Sequence, residues 1–215
     1  AFGSQTSWEI VGSGYTYPLC SGSGFANNTE VTVGCCLPHG CLRLRVLDSA
    51  GDGMSSGGYV LKDGTGRRII DNTNDGVFGS ESSIAASGSF CLPMSADRSI
   101  MTACDKLDWV YSDFMVASPV PAVSAQWGVG DQTDDGYEFW FCDPDGSYSQ
   151  RKFRNHATPG GFGSGANRAC YQRLSWTPST NPIPEGVLLN VRIRGRVNGV
   201  NNEWGPACRM KVYPV

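Results

Sequence analysis

The chain has no run of about 18 apolar residues, so no part of it is long enough to span a bilayer as a helix. Its first residues, AFGSQTSWEI, lack the charged and apolar regions of a secretory signal peptide, and the chain reads as a mature or excised fragment. No window carries an apolar stripe at helical spacing, which excludes a helical bundle. Histidine is scarce. Only His39 and His156 occur, in different halves, and no C-x-x-C pair accompanies them, so a closed zinc site lacks its ligands. Neither histidine stands in a G-x-S-x-G or H-E-x-x-H context, which removes the usual motifs of serine and zinc hydrolases. Charge of one sign is lacking too: 17 Lys and Arg against 20 Asp and Glu give a net charge of −3, with no basic excess to hold nucleic acid. The balance is uneven along the chain. Six basic and 9 acidic residues precede Cys104, and 11 of each follow from there.

What is present is the composition of an all-β protein: 28 Gly and 12 Pro in 215 residues, with Ser, Thr, Asn and Asp at the joints. The length suits two domains of roughly 100 residues, each able to bury a core. SWEIV puts Trp8 and Ile10 on one side of a strand and Glu9 on the other, and CLRLRVLD does the same with Leu42, Leu44 and Val46 against Arg43 and Arg45. Two apolar runs flank Asp63-Gly64-Thr65-Gly66, a hairpin signal. A strand near SSIAASGSFCL closes the first unit. Residues 92 to 104, LPMSADRSIMTAC, have no period and read as a linker. In the second half Tyr137, Phe139 and Phe141 alternate with Glu138, Trp140 and Cys142, a strand apolar on both faces and therefore central. Leu189, Val191, Ile193 and Val197 alternate with Asn190, Arg192, Arg194 and Arg196, and Cys208, Met210 and Val212 end the chain on a strand. The expected organisation is two tandem β-sandwiches, 1–92 and 105–215, joined by 93–104.

Nine cysteines fit an oxidising compartment. Local loops favour Cys36 with Cys41, then Cys20 with Cys35 and Cys170 with Cys208, while Cys91 with Cys104 would tether the linker. The odd count leaves at least one cysteine free or intermolecular, and Cys142, between aromatics, is the candidate for a buried thiol.

The segments TSWEIV and CCLPHGCLRLRVLDSAGDGMSSGGYVLKDGTG resemble a β-sandwich module of secreted multidomain proteins of Bacteroidota, with its pattern SWEI … CLP-x-G-C … DS-x-GDG. CDKLDWV, SAQWGV, YEFWFCDPDGSYSQRKFRNH, IPEGVLLNVRIRGRVNG and EWGPACRMKV resemble a fibronectin-III-like module found near the C-terminus of proteins exported by the type IX secretion system. The resemblance covers nearly the whole chain and implies a jelly-roll or CUB-like sandwich over 1–92 and a fibronectin-III or Ig-like one over 105–215. It implies an extracellular or surface location and identifies modules rather than an activity, because such modules accompany proteases, glycoside hydrolases and adhesins alike. Relatives carry a Cys pair after GDG, where this chain has Met54-Ser55-Ser56, so the turn would rely more on an ion.

Four groups of residues are candidates for function. Asp48 and Asp52, in an acidic Gly-rich turn, with Glu9 from a neighbouring strand, suit calcium, which takes six to eight oxygens; Asp63, Asp71 and Asp75 are reserves. The alternative is that the aspartates cap turns. Arg192, Arg194 and Arg196 on one strand face, with Arg151, Lys152 and Arg154 adding charge on another segment, suit an acidic polysaccharide or anionic surface, unless Asp131, Asp134, Asp135 and Glu138 pair with them. Trp176 and Trp204, in segments rich in Pro, Gly and Asn, are the tryptophans expected to be exposed for stacking on sugars, against the alternative that they serve the core. Asn27-Asn28-Thr29 and Asp48-Ser49-Ala50 match N- and O-glycosylation patterns. The expected function is a non-catalytic extracellular module that binds, spaces or presents other surface-protein subunits, with self-assembly among the options. The alternative is an accessory region targeting a secreted hydrolase to an extracellular glycan.

Overall fold

A computed structural model describes residues 2–55, 57–73, 76–100, 104–117, 135–155, 169–177 and 179–214. The protein is all-β, with several sheets. The chain divides into two compact units, Ala1–Pro93 with Asp143–Ser147, and Met94–Cys142 with Tyr148–Val215.

The first unit contains β1 (Thr6–Gly12), β2 (Cys20–Ser23), β3 (Gly40–Asp48), β4 (Val60–Lys62), β5 (Arg68–Asp71), β6 (Glu81–Ser82) and β7 (Ser89–Leu92). Its main sheet runs β2-β1-β3, and the far edge of β3 is shared by β7, opposite residues 40–43, and β6, opposite 46–47. Alternation decides its faces: Leu42, Leu44, Val46 and Ile10 are buried, at roughly 1.5–3 kcal/mol each. On the other face Arg45, opposite Glu9 in register, bridges Glu9 at 2.5 Å and Glu81 at 2.7 Å. Hydrogen bonding to Arg45 holds the Glu81 carboxyl below its usual range. These partly exposed pairs contribute up to about 1 kcal/mol each. The β4–β5 hairpin turns at the expected place, with Asp63 accepting from the N–H groups of Thr65 and Arg67.

The turn Asp143–Ser147 completes this unit. Asp145 accepts from Ser82 Oγ at 2.5 Å and Asn72 Nδ2 at 2.9 Å, the Pro144 carbonyl accepts from the N–H of Ser83, and Tyr59 Oη is hydrogen-bonded to the hydroxyls of Ser82 and Ser83.

The second unit contains β8 (Lys106–Trp109), β9 (Phe114–Val116), β10 (Gly136–Cys142), β11 (Ser149–Asn155), β12 (Tyr171–Arg173), β13 (Leu189–Val197), β14 (Val200–Asn201) and β15 (Cys208–Val212). Its larger sheet has the order β11-β10-β13-β15-β8, with β14 on β13, and β9 pairs with β12 separately. β10 is central, as its two apolar faces suggest. Tyr137, Phe139 and Phe141 join Leu189, Val191, Ile193, Met210 and Val212 in a core closed by Trp109, Met115 and Leu174.

Of residues 93–104, expected to link the halves, Pro93 ends the first compact unit and the chain from Met94 is grouped with the second. Ile100 donates its N–H to Val116 O, Ser99 bridges to Ala117, and Asp97 is buried at 1% exposure. A segment that satisfies its polar groups with side chains and a single bridge has no period for the sequence to display.

Three disulfides form, each within its own unit: Cys20–Cys35, Cys41–Cys91 and Cys104–Cys208. The expected Cys20–Cys35 pair is among them, and the other expected pairs are corrected. Cys41 takes Cys91, its register partner across β3 and β7 with Cα atoms 3.9 Å apart, and not Cys36. Cys104 takes Cys208, not Cys91, because β8 runs parallel to β15 with Lys106 opposite Met210, which sets Cys104 beside Cys208. Cys208 is therefore not the partner of Cys170. Cys142 is buried on β10, and Cys36 is exposed with a free thiol.

Candidate functional site

The face of the larger sheet turned away from the core carries the densest functional chemistry. Register builds it. Trp140 on β10 stands opposite Arg151 on β11 and Arg192 on β13, and Glu138 stands opposite Phe153 and Arg194. Trp204, from the segment after β14, joins them with its ring 5.3 Å from that of Trp140. The result is an alternating stack. The Arg192 guanidinium lies 5.0 Å from the Trp140 ring, Arg151 lies 4.7 Å from Trp140 and 5.5 Å from Trp204, and Arg194 lies 4.4 Å from Trp204. Arg196 lies 5.0 Å from Phe153. Each such contact stabilises by about 0.5–1 kcal/mol at an exposed site and by about 2 kcal/mol when desolvated. Glu138 is the one carboxylate opposite these arginines in register, and its Oε2 accepts from Arg194 Nε at 2.7 Å and Nη2 at 2.6 Å.

Burial grades across the stack. Trp140 and Arg192 are each 1% exposed, Arg194, Arg196, Phe153 and Trp204 are half-buried, and Arg151 is exposed. Trp204 owes its place to Asp97. The buried Asp97 Oδ2 accepts from the Gly195 N–H at 2.6 Å and from Asn202 Nδ2 at 3.2 Å, while the N–H of Gly205 reaches Ile193 O. A Cβ at Gly205 would fall 1.5 Å from Asp97 O, so only glycine allows the 202–205 segment to lie this close.

Of the expected ligand surface, Arg192, Arg194, Arg196 and Trp204 do share one face. The sequence-based expectation counted Arg151 only as charge on another segment, and missed Trp140 as a member of the face and Asp97 as its support. Trp140 and Arg151 were legible as outward positions of two strands, but their pairing needs the register. Trp176 lies in the 3-10 turn Leu174–Trp176, away from this face in sequence, and its side chain is outside the described residues.

The acidic turn has a different geometry from the one expected. Asp48 pairs with Thr6 and Glu9 with Arg45 across β1 and β3, so side-chain alternation sends Asp48 and Glu9 to opposite faces of the sheet. Glu9 therefore cannot complete a site at Asp48. Asp48 Oδ2 accepts from the N–H groups of Asp52 at 2.8 Å and Gly53 at 3.0 Å, so the carboxylate organises the loop from within. Burial pushes the Asp48 carboxyl upward, yet the amides of Asp52, Gly53, Gly51 and Ala50 together hold it below its ordinary value. Its Oδ1 is buried without a hydrogen-bond partner, and Asp52 is exposed on the same turn. Among the reserves, Asp63 is committed to its hairpin and to Arg67 at 2.8 Å, and Asp71 to Thr73 and to Arg68 at 3.1 Å. Asp75 lies outside the described residues, as do His156, Trp127, Asp131 and Asp134.

The hydroxyl cluster of Tyr59, Ser82 and Ser83 with Asp145 resembles catalytic chemistry at first sight. Ser82 and Ser83 are completely buried and their partners are a tyrosine and a carboxylate, so neither hydroxyl meets both a substrate path and a neutral base.

Comparison with protein-family models, curated proteins and solved structures finds no match to this chain.

Proposed function

We propose that the chain is a non-catalytic extracellular binding module, and that its second unit recognises anionic groups on a partner through the arginine–tryptophan face. The carrying observation is Arg151, exposed, with its guanidinium stacked against two indoles. A guanidinium held over aromatic rings and still exposed to solvent retains N–H donors for an external anion, and its fork of donors matches carboxylate, sulfate or phosphate oxygens. The same stack argues against a sugar platform, because the rings of Trp140 and Trp204 already lie against arginines. The favoured partners are therefore acidic subunits of a surface assembly, and the resemblance to modules of type IX-secreted Bacteroidota proteins is retained as part of the proposal. The three disulfides are compatible with an extracellular protein, and among the described residues no helix is long and apolar enough to cross a membrane.

The test is retention of the whole protein on an immobilised sulfated polysaccharide beside a neutral one of the same backbone, with a poly-glutamate support in parallel. Retention on the acidic supports should fall with salt, and Arg151→Gln should weaken it by roughly tenfold, as expected for the loss of one charge-assisted contact. Equal retention on neutral and acidic polysaccharide, undiminished by Arg151→Gln, would favour the alternative, an accessory carbohydrate-binding region of a hydrolase.

Calcium at the acidic turn is supported on a narrower set of residues than the sequence suggested. The orphaned Asp48 Oδ1 and the exposed Asp52 fit a hard cation, whereas Glu9, Asp63 and Asp71 do not. A bound ion would supply the positive charge that this buried oxygen lacks.

A further inference from the structure

We propose that Cys36 is an exchange thiol that trades places with Cys35 on Cys20, giving the connection between β2 and β3 two disulfide-bonded forms. Residues 24–39 form no helix or strand and run largely exposed. The start of the segment is pinned where Asn27 Oδ1 accepts the Gly3 N–H at 2.9 Å. Among the described residues, the Cys20–Cys35 bridge is the only polar or covalent tie of residues 30 to 39 beyond the chain itself. Next to it, Cys36 is exposed and carries a free thiol.

The geometry makes exchange a small movement. The Cα atoms of Cys20 and Cys35 are 6.3 Å apart. Consecutive Cα atoms are about 3.8 Å apart, so Cys36 Cα lies within about 10 Å of Cys20 Cα. A slip by one residue of extended chain, about 3.4 Å, brings it into the range a disulfide spans. No hydrogen bond of residues 30–39 opposes that slip. Cys41 is not a comparable target, since its bridge to Cys91 joins register partners on hydrogen-bonded strands.

The chemistry is balanced without an outside oxidant. The Cys36 thiolate attacks Cys20 Sγ, the Cys20–Cys36 bond forms as the Cys20–Cys35 bond breaks, and Cys35 leaves as a thiolate that takes up the proton Cys36 gave away. One bridge and one thiol exist before and after. Neighbouring residues of an extended chain face opposite sides, so a one-residue slip turns the segment over. Val31 and Val33, now 50% and 48% exposed, would then change sides. The exchange thus switches which surface the connection offers to a partner, independently of the arginine face.

The whole protein, oxidised and held at about pH 4 to quench thiolate, is divided. One part is incubated at about pH 8.5, where thiol is substantially ionised, and both are then pulsed with a maleimide. Fragmentation of the peptide spanning Cys35-Cys36 locates the label. The acid-held sample should carry label on Cys36, and at least about a tenth of the loop's label should reach Cys35 after the alkaline incubation. Cys36→Ser should abolish labelling of this peptide, and Cys35→Ser should form a Cys20–Cys36 bridge. Label that stays wholly on Cys36 in the wild-type protein after a day at about pH 8.5 overturns the proposal, whatever the folding of the variants.

Discussion

Replacing Asp97 by alanine should be among the most damaging single changes in the second unit, although the residue sits in a segment without regular structure. Its carboxylate is 1% exposed, and Oδ2 accepts from the backbone of Gly195 at 2.6 Å and from Asn202 at 3.2 Å. Alanine leaves the Gly195 N–H, on the edge of β13, without its acceptor. A hydrogen bond to a charged group contributes about 1.5–3 kcal/mol, and a buried donor left unsatisfied costs about 1–3 kcal/mol. These overlap, so a loss of about 2–4 kcal/mol is expected for the Gly195 and Asn202 contacts together. Asparagine can keep an oxygen at the Oδ2 position and should cost about half as much. With a urea m-value of about 1.5 kcal/mol per M, Asp97→Ala should lower the unfolding midpoint by roughly 1.3–2.7 M. Tryptophan fluorescence of the whole protein is the natural assay: Trp8 is the only one of the 6 tryptophans within Ala1–Pro93, so the signal reports mainly the second unit. A midpoint for Asp97→Ala within about 0.3 M of wild type would show that the Gly195 contact contributes little, and the account of how Trp204 is held would fail with it.

Three further outcomes are expected. The Asp48 carboxyl is held below its unfolded value, so its contribution is present above about pH 4 and is lost as pH falls through the lower, folded value. Protection of residues 42–53 in hydrogen exchange, corrected for intrinsic rates, should therefore drop between pH 5 and pH 3 more steeply in the wild type than in Asp48→Asn. In the same peptide at pH 7 calcium should raise protection, and a chelator should reverse it. Equal protection with and without calcium would leave Asp48 as a turn cap alone. Removing the Cys104–Cys208 bridge, which closes a separation of 104 residues, with paired serines should cost the second unit about 4–5 kcal/mol by chain entropy. A loss below about 1 kcal/mol, read from the fluorescence midpoint, would refute that origin.

Much of the strand content was legible because period-two alternation is a local property. Leu42, Leu44 and Val46 against Arg43 and Arg45 describe β3 without any knowledge of its neighbours, and the two apolar faces of β10 describe a central strand. Register is not local. Whether Glu9 could meet Asp48 depended on which residues of β1 and β3 stand opposite one another, and an offset of three residues put them on opposite faces. Cys20 with Cys35 was legible as a local loop, but the longer-range cysteine pairs were not, since Cys104 meets Cys208 through a parallel strand pair that nothing in the sequence announces. The arginine face was half legible. Arg192, Arg194 and Arg196 lie on one strand and declare themselves, whereas Trp204 joins them from an aperiodic segment held by a buried carboxylate 107 positions earlier in the chain.

The discontinuity of the first unit has a consequence for the order of events on the ribosome. Ser82, Ser83 and Asn72 meet partners in the turn Asp143–Ser147, 50 residues beyond Pro93. At about 5–20 residues per second, the nascent first unit waits roughly 3–10 s with those groups incomplete after Pro93 has been added. By the time the turn arrives, β8 and β9 have been made, but β13 and β15, which complete the second sheet, have not. The amino-terminal unit is thus translated first yet finished late, and a gene fragment cut at Pro93 would encode a protein that lacks the turn its buried hydroxyls require.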